Sequence, residues 1–91
     1  MAYKILISAS AAKDIKKLGQ SDVVKIRTYL NNSIATLENP RSKGKPLSAN
    51  LKGFWRYRAG DFRVICEIDD EQKLVKVIGM GHRSIVYEKT N

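Results

Sequence analysis

Acidic residues are scarce in this chain: nine Asp and Glu stand against seventeen Lys and Arg, for a net charge of +8. Self-repulsion on that scale works against a compact state, so a polyanionic partner is expected: nucleic acid, an acidic protein or an anionic membrane. Cysteine is reduced to Cys66, which excludes an internal disulfide and any multi-cysteine metal site. Within "RVICEI" that thiol reads as a buried structural group, and a reducing cytoplasm suits it. Long apolar runs are missing too. None approaches the roughly 20 residues of a membrane span, and the apolar part of "MAYKILISAS" is too short for a signal peptide, so it reads as a strand. Histidine occurs once, as His82, the only side chain here whose ordinary pKa lies near neutrality.

What is present suffices for one core. Ninety-one residues, 43% of them apolar, predict a single domain over residues 1–91 and argue against disorder. "YKILIS" (3–8) reads as a strand. Ser8 or Ser10 then offers an N-cap to a helix starting near Ala11, in which Ala11, Ile15 and Leu18 recur at helical spacing before Gly19 stops it. Ser21 is the expected N-cap of a second helix. Its stripe runs through Val23, Ile26, Tyr29 or Leu30, Ile34 and Leu37, and Asn39-Pro40 ends it. Residues 41–53 read as a polar loop. Strands are expected over 54–59, 62–68 and 73–80, joined by Ala59-Gly60-Asp61 and by the acidic turn 69–72. The order β-α-α-β-β-β predicts an α+β fold, with a helical hairpin on one face of a small, mainly antiparallel sheet.

Charge is unevenly spread along this frame. Residues 41–63 hold Arg41, Lys43, Lys45, Lys52, Arg56, Arg58 and Arg63 against Asp61 alone, a local +6 that leaves +2 for everything else. Strand alternation sends Trp55 and Tyr57 one way and Phe54, Arg56 and Arg58 the other; in the next strand Arg63, Ile65 and Glu67 oppose the apolar row Phe62, Val64, Cys66 and Ile68. If the helices cover the apolar rows, Arg56, Arg58 and Arg63 emerge together on the uncovered face. Such a surface suits a phosphate, because the planar guanidinium donates paired hydrogen bonds. The closing "GMGHRSIVYEK" adds His82, Arg83 and Tyr87, where a Gly-Met-Gly break is expected to end the strand and turn the tail toward the cationic edge.

The element order, with "LKGFWRYRAGDFRVIC" and "GHRSIVY" as its specific parts, resembles the RelE toxins of type II toxin–antitoxin pairs, within the wider RelE/ParE superfamily. The resemblance spans nearly the whole chain. It implies a cytoplasmic endoribonuclease that enters the ribosomal A site and cuts messenger RNA there, with no metal or other cofactor. It also implies neutralisation by a co-expressed RelB-like antitoxin, and binding of operator DNA only through the toxin–antitoxin complex. By the same resemblance Arg63 matches the family's phosphate-stabilising arginine, and Arg56 and Arg58 stand at basic positions that engage RNA and take part in catalysis. Arg83 matches the C-terminal catalytic arginine, and Tyr87 the tyrosine that orients a base or assists proton transfer. Lys52, with Lys45, Lys43 and Arg41, is expected to contact RNA. Arginine is a poor proton donor or acceptor, so His82, or less favourably Glu67, is the candidate acid or base. The alternative is the ParE branch, which shares the fold and inhibits gyrase without cutting RNA; that branch generally lacks the basic set plus tyrosine.

Overall fold

The computed structural model describes residues 3–47 and 53–82. The chain runs β1 (Lys4–Ile7), α1 (Ala9–Lys16), α2 (Gln20–Tyr29), a π turn (Leu30–Ile34), a 3-10 turn (Pro40–Ser42), β2 (Lys45–Pro46), β3 (Trp55–Ala59), β4 (Phe62–Asp69) and β5 (Leu74–His82). The five strands form one sheet in the order β1-β5-β4-β3-β2, antiparallel except for the parallel pair β1–β5. That parallel pair requires a crossover, and the two helices lie within it.

The first helix is capped by one of the two serines expected to do so, whereas the second starts earlier than its expected cap. Ser8 is the N-cap of α1, its hydroxyl accepting from the Ala11 amide at 3.1 Å. Gly19, expected as a stop, is instead the N-cap of α2. Ser21 therefore falls inside the first turn, and Asp22 occupies the third helical position, where its carboxylate complements the helix dipole. The apolar stripe of α2 continues through the π turn, closed by Ala35 N–H donating to the Leu30 carbonyl at 2.8 Å. Ile26, Leu30 and Ile34 are four residues apart, wider than the 3.6-residue repeat. One widened turn keeps all three buried, and each is at most 2% exposed.

These residues pack with Ala11 against Tyr57, Val64, Cys66, Val75, Val77 and Met80. The register explains why those side chains share a face: Tyr57 pairs with Val64, Val64 with Met80, and Cys66 with Val77. Burial pushes the Cys66 thiol well above its ordinary pKa, which keeps it neutral. The buried Tyr57 hydroxyl donates to the Pro40 carbonyl at 2.6 Å and ties the end of the helical layer to the sheet.

Two strand boundaries differ from expectation. The segment 41–53 is not all loop, because Lys45–Pro46 pair with β3 as an edge strand; proline is tolerated at an edge, where no outer ladder needs its missing N–H. And β5 does not stop at Gly79-Met80-Gly81. It runs through to His82, with a bulge that leaves Ile78 between the pairs Cys66–Val77 and Ile65–Gly79.

Candidate nucleic-acid interface

Lys45 pairs with Arg56, and Arg56 pairs in turn with Ile65. One step along, Arg58 pairs with Arg63 and Arg63 with Gly81. Directly opposed residues point to the same side of a sheet, so Lys45, Arg56, Arg58 and Arg63 share the face turned away from the helices. They lie in two adjacent cross-strand rows. Neighbouring strands are about 4.8 Å apart and same-face residues along a strand are about 7 Å apart, so the four side chains originate within one small patch.

Local structure delivers Lys45 to that patch. Gly44 has φ +80°, and a Cβ there would come within 2.4 Å of the Arg56 carbonyl oxygen and 2.6 Å of Trp55 Nε1. Only glycine permits this approach. Trp55 Nε1–H donates to the Lys43 carbonyl at 2.7 Å and secures the crossing. The Leu47 amide then donates to the Phe54 carbonyl at 3.0 Å, extending the ladder past β2.

The two members of the opposed arginine pair differ. Arg58 is exposed. Arg63 does not stand open on the face as expected; it is 6% exposed, and its Nη1 donates to the Gly60 and Phe62 carbonyls at 3.0 and 3.1 Å. Those carbonyls belong to the β3–β4 turn, where Gly60 has φ +62°, and the guanidinium braces it. Arg56 is half-buried beside Ile65. Among the described residues no carboxylate forms an ion pair with Lys45, Arg58 or Arg63. Like charges on neighbouring strands repel, and an anion bound between them relieves that repulsion.

Three expected members lie elsewhere. His82 pairs with Phe62, which places it on the helix-side face; the two rings meet edge to face, centroids 6.0 Å apart. The bulge in β5 sets this phase, so His82 is not on the cationic face. Arg41 follows Pro40 on the helix side of the sheet, and its Nη1 pairs with Asp70 Oδ1 at 2.9 Å. Asp70 lies just beyond the end of β4 that is remote from Arg63, about 20 Å along the strand. The Tyr3 hydroxyl donates to the same oxygen at 2.6 Å. Hydrogen bonds from Arg41 and Tyr3 hold the Asp70 carboxyl below its ordinary pKa, so Arg41 is neutralised by the protein itself. Glu67 shares the face with Arg63 but pairs with Lys76, four residues further along β4. Lys43 is exposed. Lys52, Arg83 and Tyr87 lie outside the described residues. Among the described residues no three His, Cys, Asp or Glu side chains gather where they could hold a metal, and no helix is long and apolar enough to cross a membrane.

A helical pair covering one face of a five-stranded sheet, with a cationic patch on the other, defines a class of small α+β protein to which known proteins can be compared. A family model described as the ParE toxin of type II toxin–antitoxin systems, parDE, matches residues 5–87. Toxin RelE of Mycobacterium tuberculosis is 34% identical over 85 residues, which cover 93% of this chain and 86% of that protein. Toxin RelG of the same organism is 27% identical over 89 residues, covering 98% and 100%. Among solved structures, the toxin–antitoxin complex RelBE2 from M. tuberculosis contains a chain that superposes with a TM-score of 0.83 at 26% identity, covering 91% of this chain and all of that one. The isolated E. coli RelE toxin shares the fold, with a TM-score of 0.68 at 22% identity over 98% and 95% of the two chains. The chain belongs to the RelE toxin family, within the RelE/ParE superfamily, and is a toxin of a type II toxin–antitoxin system.

Proposed function

We propose that this toxin is an endoribonuclease that cleaves messenger RNA in the ribosomal A site and so arrests translation. The observation that carries the reading is the placement of Lys45, Arg56, Arg58 and Arg63 in two adjacent rows on the sheet face opposite the helices. Cleavage without metal uses the neighbouring 2′-hydroxyl as nucleophile: its oxygen bonds to phosphorus, its proton leaves to a base, and the 5′-oxygen departs with a proton from an acid. The product ends are a 2′,3′-cyclic phosphate and a 5′-hydroxyl. Between these stages the phosphorus carries a dianionic, five-coordinate array of oxygens. Fixed guanidinium groups stabilise that charge with little reorganisation, and removing one such donor commonly costs about 10²–10³ in rate.

Arg63 suits this role because the turn carbonyls already orient it. Arg58, opposite it and exposed, is placed to contact the outer phosphate oxygens. Lys45 and Arg56 extend the patch and hold the adjoining backbone by neutralising it. Of the remaining candidates for proton transfer, Tyr87 is favoured over His82, which lies on the helix-side face; Arg83 adds a further cation for the transition state.

The partner in this reading is an antitoxin with an acidic segment that lies across the cationic face; relatives of this fold are known in structures of toxin–antitoxin complexes. The ParE description of the matching family favours a second reading, gyrase inhibition without RNA cleavage. Primer extension on messenger RNA from translating ribosomes separates the two. Cuts within the A-site codon, appearing only when toxin and ribosomes are both present, are expected. Intact messenger together with a gyrase-linked DNA cleavage signal would replace the nuclease with the ParE-like inhibitor.

A further inference from the structure

We infer that Ser10 and Asp14 of α1 are positioning residues for the cationic face, acting through the bulge in β5; the consequence for cleavage rests on the nuclease reading above. A bulge disrupts the ladder and leaves backbone polar groups in need of partners. Here two side chains one helical turn apart supply them. Ser10 Oγ donates to the Ile78 carbonyl at 2.6 Å, and Asp14 Oδ2 accepts from the Met80 amide at 3.1 Å. Residues four apart on a helix lie on the same face, which is why one turn of α1 can grip both sides of the irregularity. The Asp14 carboxylate lies close against the strand here, 3.4 Å from where a Cβ on Gly79 would stand.

The bulge decides what stands beside Arg63. With it, Gly81 is opposite Arg63, Met80 is opposite Val64 in the core, and His82 is opposite Phe62. Remove it, and every residue after Val77 slips by one. Met80 would then face Arg63 on the cationic side and leave the core, since a one-residue slip inverts the strand. Gly81 adds no side chain beside Arg63, whereas a methionine there would crowd the guanidinium that the Gly60 and Phe62 carbonyls orient. The Ser10–Asp14 clamp holds the phase in which Gly81 stands beside Arg63 and Met80 stays in the core.

The test compares Asp14→Ala, Ser10→Ala and Asp14→Asn in the full chain, because the asparagine carbonyl can still accept from the Met80 amide. The expected result for Asp14→Ala is faster hydrogen exchange at the Met80 amide and displaced backbone resonances for Gly81 and His82. Its A-site cleavage falls about a hundredfold, the scale of a small misplacement of reacting groups. Asp14→Asn restores wild-type spectra and rate, and Ser10→Ala gives a weaker version of the alanine result. Wild-type resonances and exchange in Asp14→Ala would overturn the inference, and so would an asparagine variant as displaced as the alanine one. If the wild-type toxin proves not to cut RNA, the nuclease reading fails by itself, and the resonances and exchange rates still decide the positioning role. If Asp14→Ala does not fold, the comparison of Ser10→Ala with wild type decides it on the same readouts.

Discussion

Arg58 and Arg63 are a cross-strand pair with unequal duties. The exposed Arg58 is free to serve an anion, whereas Arg63 also holds the β3–β4 turn through two carbonyls. Charged hydrogen bonds of this kind are worth about 1.5–3 kcal/mol each, though the two share one nitrogen. Arg63→Ala is accordingly expected to lose about 2–3 kcal/mol of stability in chemical denaturation as well as its activity. Undiminished stability would show that the brace is incidental. Arg58→Ala leaves the turn alone and isolates the electrostatic contribution. His82 presents the reverse case: it is the one histidine in the chain, yet its ring packs against Phe62 on the helix-side face. His82→Gln is therefore expected to leave the pH–rate profile near neutrality unchanged; a profile flattened by the substitution would return His82 to the proton-transfer step.

Among elements, the two-residue strand β2 has an influence out of proportion to its length. It converts Lys45 from a loop cation into a member of the Arg56 row, and Gly44 makes the turn into it possible. Gly44→Ala forces a side chain into the left-handed region and against the Arg56 carbonyl, which costs about 2 kcal/mol or more. Lower stability and weaker RNA binding are expected together, measured by denaturation and by retention on single-stranded RNA. A variant with wild-type values for both would mean that β2 is dispensable.

This element also marks where the sequence stops being informative. Alternation in residues 62–68 was enough to separate the Val64–Cys66 row from the Arg63–Ile65 row, and helical spacing identified the faces of α1 and α2. Two residues have no period, however, so β2 read as loop. The bulge at Ile78 depends on side chains of α1 more than sixty residues earlier, so Gly-Met-Gly read as a break rather than as strand. In the candidate site, Arg56, Arg58 and Arg63 were legible as a group from strand alternation, whereas Lys45 showed only as one cation of a basic loop and the burial of Arg63 was not visible. Arg41 was not separable from them, because its partner Asp70 is 29 residues away in the chain. The placement of His82 was hidden for the same reason as the bulge that causes it.

At the scale of the molecule, opposite ends of the sheet do different work. The end near Asp70 is structural: Tyr3 and Arg41 both donate to that carboxylate and join the segment before β1, the 3-10 turn and the β4–β5 turn. The folded-state pKa of Asp70 is depressed, so its contribution to stability is complete above the unfolded value, near 4, and is lost as pH falls through the lower folded value. Thermal melts of Asp70→Asn are expected to show a smaller loss of stability on acidification than wild type. An identical acid dependence would remove Asp70 from that balance. The exposed setting keeps this effect small.

The other end, with Lys45, Arg56, Arg58 and Arg63, is the end assigned to RNA. The sharpest comparison is single-turnover A-site cleavage by Arg58→Ala and Arg41→Ala, two arginines from the same basic segment, each checked for native melting behaviour. Arg58→Ala is expected to slow cleavage by about 10²–10³, while Arg41→Ala cuts at a rate close to wild type. Equal losses in both variants, or an Arg58→Ala protein that cleaves as fast as wild type, would contradict the assignment of the phosphodiester to the face between β2 and β5.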